Sequence, residues 1–474
     1  MTHFRGIKRI HFVGIGGIGM SGIAEVLHNL NYDVSGSDCR ESANTRRLND
    51  LGIKIWIGHS PENVTDAHVV VISSAVNQDN PEVAEAHRQN IPVIPRAEML
   101  AELMRLKSGI AVTGSHGKTT TTSLISTMLT SFDPTVVIGG KLKGLGSNAK
   151  LGQGDILVAE ADESDGSFIL LTPTVAVLTC IDREHMDYFK SMEDLKKAFL
   201  DFINKVPFYG LAILCKDDQH VRDLVPSVHR RFITYGITAD ADLVAKDITR
   251  GPGGSRFRAF LKGQILGEFK VPSPGIHNVS NALAAIAVGL ELGMAPSWIA
   301  EGLASFSGIQ RRFELKGEAA GVRVFDDYAH HPTEIRATLA AAKEISSKRV
   351  VALFQPHRYS RTRDLMTEFF GAFKDADLVY LTDIYPAGEE PEEGVHSSVL
   401  ENGIRQYSQV DVVYSGDKKN LINHIVNDLK EDDIFFTLGA GDVFKMGEEI
   451  LKSKGKEQKA KDEGVYENNR KLLV

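Results

Sequence analysis

The stretch from Ser108 to Leu129 constrains the fold more than any other. An apolar run, Ser108-Gly-Ile-Ala-Val112, passes into Thr113-Gly-Ser-His-Gly-Lys-Thr-Thr-Thr-Thr122 and then into the helical pattern Ser123-Leu-Ile-Ser-Thr-Met-Leu129. A strand that turns through two glycines into a helix belongs to a parallel α/β sheet, and such a turn cradles phosphate. Gly114 and Gly117 let backbone N–H groups turn inward on an anion, Lys118 brings a compact positive charge, and the Thr119 hydroxyl is placed for a magnesium ion. Gly114, Ser115, His116, Gly117, Lys118, Thr119 and Thr120 are therefore expected to bind ATP. The usual spacing would put a further glycine at 112, where this chain has valine.

Apolar runs alternate with helical stretches on both sides of this loop. Ile10–Gly14, Asp33–Ser37, Ile53–Ile57 and Val69–Ser73 precede it; Asp155–Ala159, Val175–Thr179 and Leu211–Leu214 follow. Short alternating runs from Gly251 to Val271 read as an antiparallel excursion. A third block carries strand patterns at Val322–Phe325, Val350–Phe354, Leu378–Leu381, Val412–Tyr414 and Ile434–Thr437. The expected architecture is α/β in three domains: Rossmann-like over 1–107, P-loop ATPase-like with a small antiparallel part over 108–312, and Rossmann-like again over 313–474, ending in a charged, mobile tail. At 474 residues the chain exceeds one hydrophobic core, in keeping with about 150 residues per domain.

A net charge of −8 offers no basic footprint for nucleic acid. Three cysteines suit a reducing cytoplasm better than a disulfide framework, and no run is long and apolar enough to span a membrane. The expected partners are small molecules, and the state is monomer or homodimer.

Other motifs fall at predicted strand ends, where open α/β sheets bind ligands. Gly14-Ile-Gly16-Gly17-Ile18-Gly19, with Asp38 downstream, suits a pyrophosphate at a helix N-terminus, from either a nicotinamide cofactor or a nucleotide-linked substrate. Glu160, Asp162, Glu163 and Asp165 follow one strand; Asp182, Glu184 and His185 follow another. Mg²⁺ prefers oxygen, so Thr119 and Glu160 are natural ligands, while a nitrogen from His185 also suits Mn²⁺. Asn278 and Asn281 share a helical face and can reach a nucleotide, or one of them serves as an N-cap. Arg311-Arg312 can clamp a phosphoryl group or form a surface ion pair. His330 and His331, with His357, Arg358 and Arg361 on the next loop, form a polar rim suited to a carboxylate, or pack as structural residues.

The order of these motifs resembles the Mur ligase family, and within it the alanine-adding branch. The residues that carry the likeness are Gly14–Met20, Thr113–Thr120, Glu160–Asp165, His185-Met-Asp-Tyr188, His277-Asn278 with Asn281, Arg311–Phe313, Asp326–Glu334 and Gln355–Arg363. The resemblance covers about Lys8 to Glu448. It implies an ADP-forming amide ligase that joins L-alanine to UDP-N-acetylmuramate in peptidoglycan synthesis, with ATP as co-substrate and Mg²⁺, or Mn²⁺, as the metal. Gly16, Gly17, Ile18, Gly19, Asp38 and Ser74 would hold the UDP-sugar. Asn278, Asn281, Arg312 and Asp327 would contact ATP. Lys118, Glu160, His185 and Arg312 would act in catalysis, with Thr119, Glu160 and His185 on metal. His330, His331, His357, Arg358 and Arg361 would face the acyl group and the amino acid. Several relatives support a second metal with a carbamylated lysine; by spacing Phe199 stands there, with Lys196 and Lys197 out of register. A peptide-recycling relative, a nicotinamide-dependent dehydrogenase and a nucleotide-binding regulatory protein are the rival readings.

Overall fold

A computed structural model describes residues 4, 6–73, 75–139, 149–345 and 348–471. Its first sheet contains β1 (Arg9–Val13), β2 (Asp33–Asp38), β3 (Lys54–Ile57), β4 (Val69–Ile72) and β5 (Val93–Pro95), all parallel, in the order β3-β2-β1-β4-β5. Strand order reverses between β1 and β4. The glycine loop after β1 thus opens at the switch point of the sheet.

The second sheet has ten strands: β6 (Ser108–Thr113), β7 (Thr135–Val137), β8 (Ala149–Lys150), β9 (Ile156–Glu160), β10 (Val175–Leu178), β11 (Leu211–Cys215), β12 (Phe232–Gly236), β13 (Leu243–Gly251), β14 (Gly254–Leu261) and β15 (Gln264–Val271). β6 is central, parallel to β9 on one side and β10 on the other. Ile110, Ala111 and Val112 are buried, which is why this strand reads as an unbroken apolar run. Two-residue connections join β13 to β14 and β14 to β15, which makes hairpins of them. That is the antiparallel excursion expected there.

The third sheet contains β16 (Glu314–Ala319), β17 (Val322–Asp327), β18 (Val350–Phe354), β19 (Leu378–Leu381), β20 (Asp411–Tyr414) and β21 (Ile434–Leu438), in the order β16-β17-β21-β18-β19-β20. Only the β16–β17 pair is antiparallel. By compactness the chain forms two units. One comprises Met1–Ile248, Arg256–Pro272 and Val279–Ile309; the other comprises Thr249–Ser255, Ser273–Asn278 and Gln310–Val474.

The charged C-terminal stretch, expected as a solvated tail, is helical. Residues 452–461 lie inside a helix that runs from Phe444 to Lys471. Met446 and Ile450 anchor its first turns in a core shared with Val324 and Phe435, and the Lys454 ammonium donates to the Leu429 carbonyl at 3.0 Å. Beyond that anchor the run is proline-free and rich in Lys and Glu, both good helix formers. No helix among the described residues is long and apolar enough to cross a membrane.

Candidate active site

The cradle is built by backbone geometry that only glycine tolerates easily. Gly114 and Gly117 have φ of +126° and +80°, and a Cβ on Gly117 would lie 2.7 Å from Asn281 Oδ1. The next strand end fixes the loop from below. Ser115 N–H donates to the Cys180 carbonyl at 3.0 Å, the Thr179 hydroxyl to the His116 carbonyl at 2.6 Å, and His116 N–H to Cys180 Sγ at 3.3 Å. Burial pushes the Cys180 thiol up to about 11, so it stays protonated and also points its S–H at the His116 carbonyl. His116 Nε2 lies 2.9 Å from Asp182 Oδ2.

Lys118 begins the helix that follows. Its ammonium donates to the Gly114 and Ser115 carbonyls at 2.7 and 3.2 Å and to Glu163 at 2.9 Å. Burial opposes its charge, but the carboxylates of Glu163, Asp162 and Glu184 outweigh that and hold it protonated far above neutral pH. Glu163, also buried, is pushed up by desolvation and by Asp162 and Glu184, against the pull of Lys118. The Thr119 hydroxyl donates to Glu160 at 2.9 Å, and Gly139 N–H meets the same carboxylate at 2.8 Å. His185 lies on the other side, 3.9 Å from Glu163. Lys118, Glu160 and His185 therefore share one sheet edge. Ligand atoms of Glu163, Glu184 and His185 all lie within 4.8 Å of one another. Two carboxylates and an imidazole fit a divalent cation, and the Thr119–Glu160 pair offers a second, all-oxygen position.

In the first sheet Gly16 N–H donates to Asp38 Oδ2 at 2.8 Å, and Asn44 donates to the Gly16 carbonyl at 2.9 Å. Asp38 thus braces the glycine loop. Gly17 caps the helix Ile18–Asn29, which contains Gly19. Ser74 lies outside the described residues. Asn281 accepts from the Thr121 hydroxyl at 3.2 Å beneath the cradle, whereas the Asn278 amide donates to the Pro274 carbonyl at 2.7 Å.

The second unit splits the arginine pair. Both guanidinium groups lie over the Tyr328 ring, but Arg311 donates to Asp326 at 2.9 Å and to the carbonyls of Gly439 and Gly441, a structural set, whereas Arg312 lies 3.3 Å from Glu334. Asp327 is buried and accepts from Phe313 N–H and Ala329 N–H, each at 2.8 Å, so it braces the turn that carries Arg312. Burial raises its carboxyl to about 6, although Arg312 and those two amides pull the other way. His331 is 2% exposed and accepts from Thr333 N–H at the start of the helix Pro332–Ile345. His330 and His357 face each other with ring centroids 6.0 Å apart. Desolvation lowers His357 to about 3, with His330, Arg361 and Arg358 adding to it. Its imidazole is neutral, and Nδ1 accepts from the Arg361 guanidinium at 3.2 Å.

Three family models match in sequence order: the Mur ligase family catalytic domain over residues 9–108, the Mur ligase middle domain over 112–289, and the Mur ligase glutamate ligase domain over 311–441. The UDP-N-acetylmuramate–L-alanine ligase of Geobacter sp. strain M21 is 58% identical over 448 residues, covering 94% of this chain and 97% of the relative. This chain belongs to the Mur ligase family. The crystal structure of the UDP-N-acetylmuramate–alanine ligase of Thermotoga maritima superposes with a TM-score of 0.78 at 29% identity, covering 94% of this chain and 99% of that one. A murein peptide ligase from Psychrobacter arcticus shares the fold, with a TM-score of 0.69 at 23% identity over 95% of this chain and 99% of that one.

Within a Mur ligase frame, Phe199 is settled as a core residue. It is fully buried on the helix Met192–Ile203, its ring 5.3 Å from that of Phe168. Lys196 pairs with Asp223 at 3.1 Å, and Lys197 is exposed. Sequence reasoning took Cys180 only as a redox marker and missed it, with Thr179, as support for the cradle. The available signal was position, since both directly follow β10.

Proposed function

We propose that this chain joins L-alanine to the carboxylate of UDP-N-acetylmuramate, with ATP as co-substrate, in the cytoplasm during peptidoglycan synthesis. The observation that carries this reading is the convergence of Lys118, the Thr119–Glu160 pair and the Glu163–Glu184–His185 cluster around one phosphate cradle. Relatives of that name matching almost end to end support the choice of substrates.

Residues 1–107 would take the UDP-sugar, with Gly16, Gly17, Ile18 and Gly19 at its phosphates and Asp38 bracing that loop from the ribose side. Residues 108–312 would take ATP, and 313–474 the amino acid. A carboxylate oxygen of the sugar attacks the γ-phosphorus, the bond to ADP breaks, and an acyl phosphate forms. The alanine amine then adds to the acyl carbon, loses a proton, and expels phosphate as the amide forms. Lys118 and the cradle N–H groups neutralise phosphate oxygens as charge shifts onto them, with Asn281 behind the cradle and Arg312 as a further cation. Bound Mg²⁺ or Mn²⁺ would supply Lewis-acid screening of those oxygens, held by Thr119 and Glu160 at one position and by His185 with Glu163 and Glu184 at another. Arg358 and Arg361 match the carboxylate of the amino acid. Neutral His357 adds no charge to repel its ammonium group.

The test is ADP release with UDP-N-acetylmuramate, Mg²⁺ and ATP, challenged with a panel of amino acids and a cell-wall tripeptide. Alanine-dependent release supports the reading. Release driven by the tripeptide alone assigns the chain to peptide recycling, and binding without turnover assigns it to regulation.

A further inference from the structure

The loop that carries His357, Arg358 and Arg361 holds an unfavourable backbone. Arg358 has φ +70° and ψ 140°, a conformation that L side chains rarely adopt, at the entry to the helix Tyr359–Asp364. Such a residue persists only where its surroundings over-determine it. They are supplied here by the segment after β19. Arg358 N–H donates to the Tyr385 carbonyl and Tyr385 N–H to the Pro356 carbonyl, both at 2.8 Å, while the Tyr385 ring stacks on His357 at 5.5 Å and 10°. The chain then reverses through Ala387 and Gly388, at φ +50° and +92°, with Glu389 N–H on the Pro386 carbonyl. That reversal brings Glu389 back onto the arginine loop. Its carboxylate accepts Ser360 N–H at 3.0 Å and the Ser360 hydroxyl at 2.6 Å, with Arg358 Nε 3.9 Å away. Desolvation disfavours the charge, but the Ser360 bonds and Arg358 prevail, and Glu389 lies below the usual carboxylate range.

We propose that Glu389 is a positioning residue for the amino-acid half of the reaction: by gripping Ser360 it holds Arg358, Arg361 and His357 in the arrangement that receives the amino acid. This rests on the reading that those three residues serve the amino acid. Glu389 itself touches no substrate in this scheme and acts only through the loop.

Initial rates are measured with alanine, ATP and UDP-N-acetylmuramate varied in turn, for wild type, Glu389→Ala, Glu389→Gln, Ser360→Ala, Arg361→Ala and the Glu389→Ala/Arg361→Ala pair. Glu389→Ala is expected to raise KM for alanine about tenfold, the scale of a lost charge-assisted hydrogen bond. Glu389→Gln and Ser360→Ala, which each keep part of the grip, should raise it less. KM for ATP and for the UDP-sugar should stay within about twofold, and the melting temperature should hold. In the Arg361→Ala background, Glu389→Ala should add little, because both changes act on one element. The proposal is overturned if KM for alanine is unchanged in Glu389→Ala and Ser360→Ala while Arg361→Ala raises it. It is equally overturned if all three KM values and the melting temperature move together, or if the two changes multiply. An Arg361→Ala enzyme with unaltered KM for alanine removes the underlying site assignment instead.

Discussion

Lys118 Nζ lies 2.8 Å from Glu163 Oε2, so the cation of the phosphate cradle and the carboxylate of the histidine-bearing cluster are direct partners. If the ammonium serves a bound phosphate as proposed, it would do so beside this carboxylate. Replacing Lys118 by alanine should lower kcat for alanine-dependent ADP release by about 10²–10³-fold, as expected for a group aimed at developing charge. UDP-sugar affinity, read by calorimetry, should barely change. Undiminished turnover would remove the lysine from the chemistry.

Cys180 offers a graded test of the cradle. Cys180→Val loses both contacts to His116, and KM for ATP should rise about 2–10-fold, in line with one modest hydrogen bond. Cys180→Ser, which keeps an acceptor and a donor, should recover most of that. A valine variant with wild-type KM would reduce Cys180 to filler.

The first sheet contains a pH-dependent element. Glu82 is fully buried, accepts hydrogen bonds from Ser37 and Asn63, and lies 3.2 Å from His59 Nδ1 and 3.7 Å from His11 Nε2. Burial alone would raise its carboxyl, yet His11, Ser37 and Asn63 together bring it from 4.5 to about 2. The unfolded chain therefore binds more protons in this window. The stabilisation is complete above pH 4.5 and drains away as pH falls toward 2. Glu82→Gln should cost about 1–3 kcal/mol at neutral pH and flatten stability across that window, measured by urea unfolding. A variant that loses stability on acidification as steeply as wild type would contradict this.

Phe199→Ala should cost about 3–5 kcal/mol through the cavity it opens beside Phe168. Assayed below its unfolding transition, the variant should keep its metal dependence. A change in Mg²⁺ requirement with little loss of stability would place the ring at the site rather than in the core.

Most strands were legible because those buried on both faces read as apolar runs, as Val350–Phe354 does. Short or half-exposed strands were not: β5 is three residues with no fully buried member, and β16 likewise has none. The turn into the helix that starts at Lys118 was legible because two glycines stand between an apolar run and a helical pattern. What stayed hidden were pairings across large sequence gaps. Nothing local in Asp38 says that it braces Gly16, and nothing in Arg311 distinguishes it from Arg312 until Asp326 and Gly439 close around it. The helical state of the charged C-terminal stretch was hidden because the anchor of that helix is Met446 and Ile450, outside the lysine-rich run.

The aromatic ring at position 199 also has a chemical consequence. A carbamate forms only on a free amine, which takes up carbon dioxide. Phenylalanine, sealed in the core at that position, offers no amine, and of the two nearby lysines one is tied to Asp223 and the other is turned to solvent.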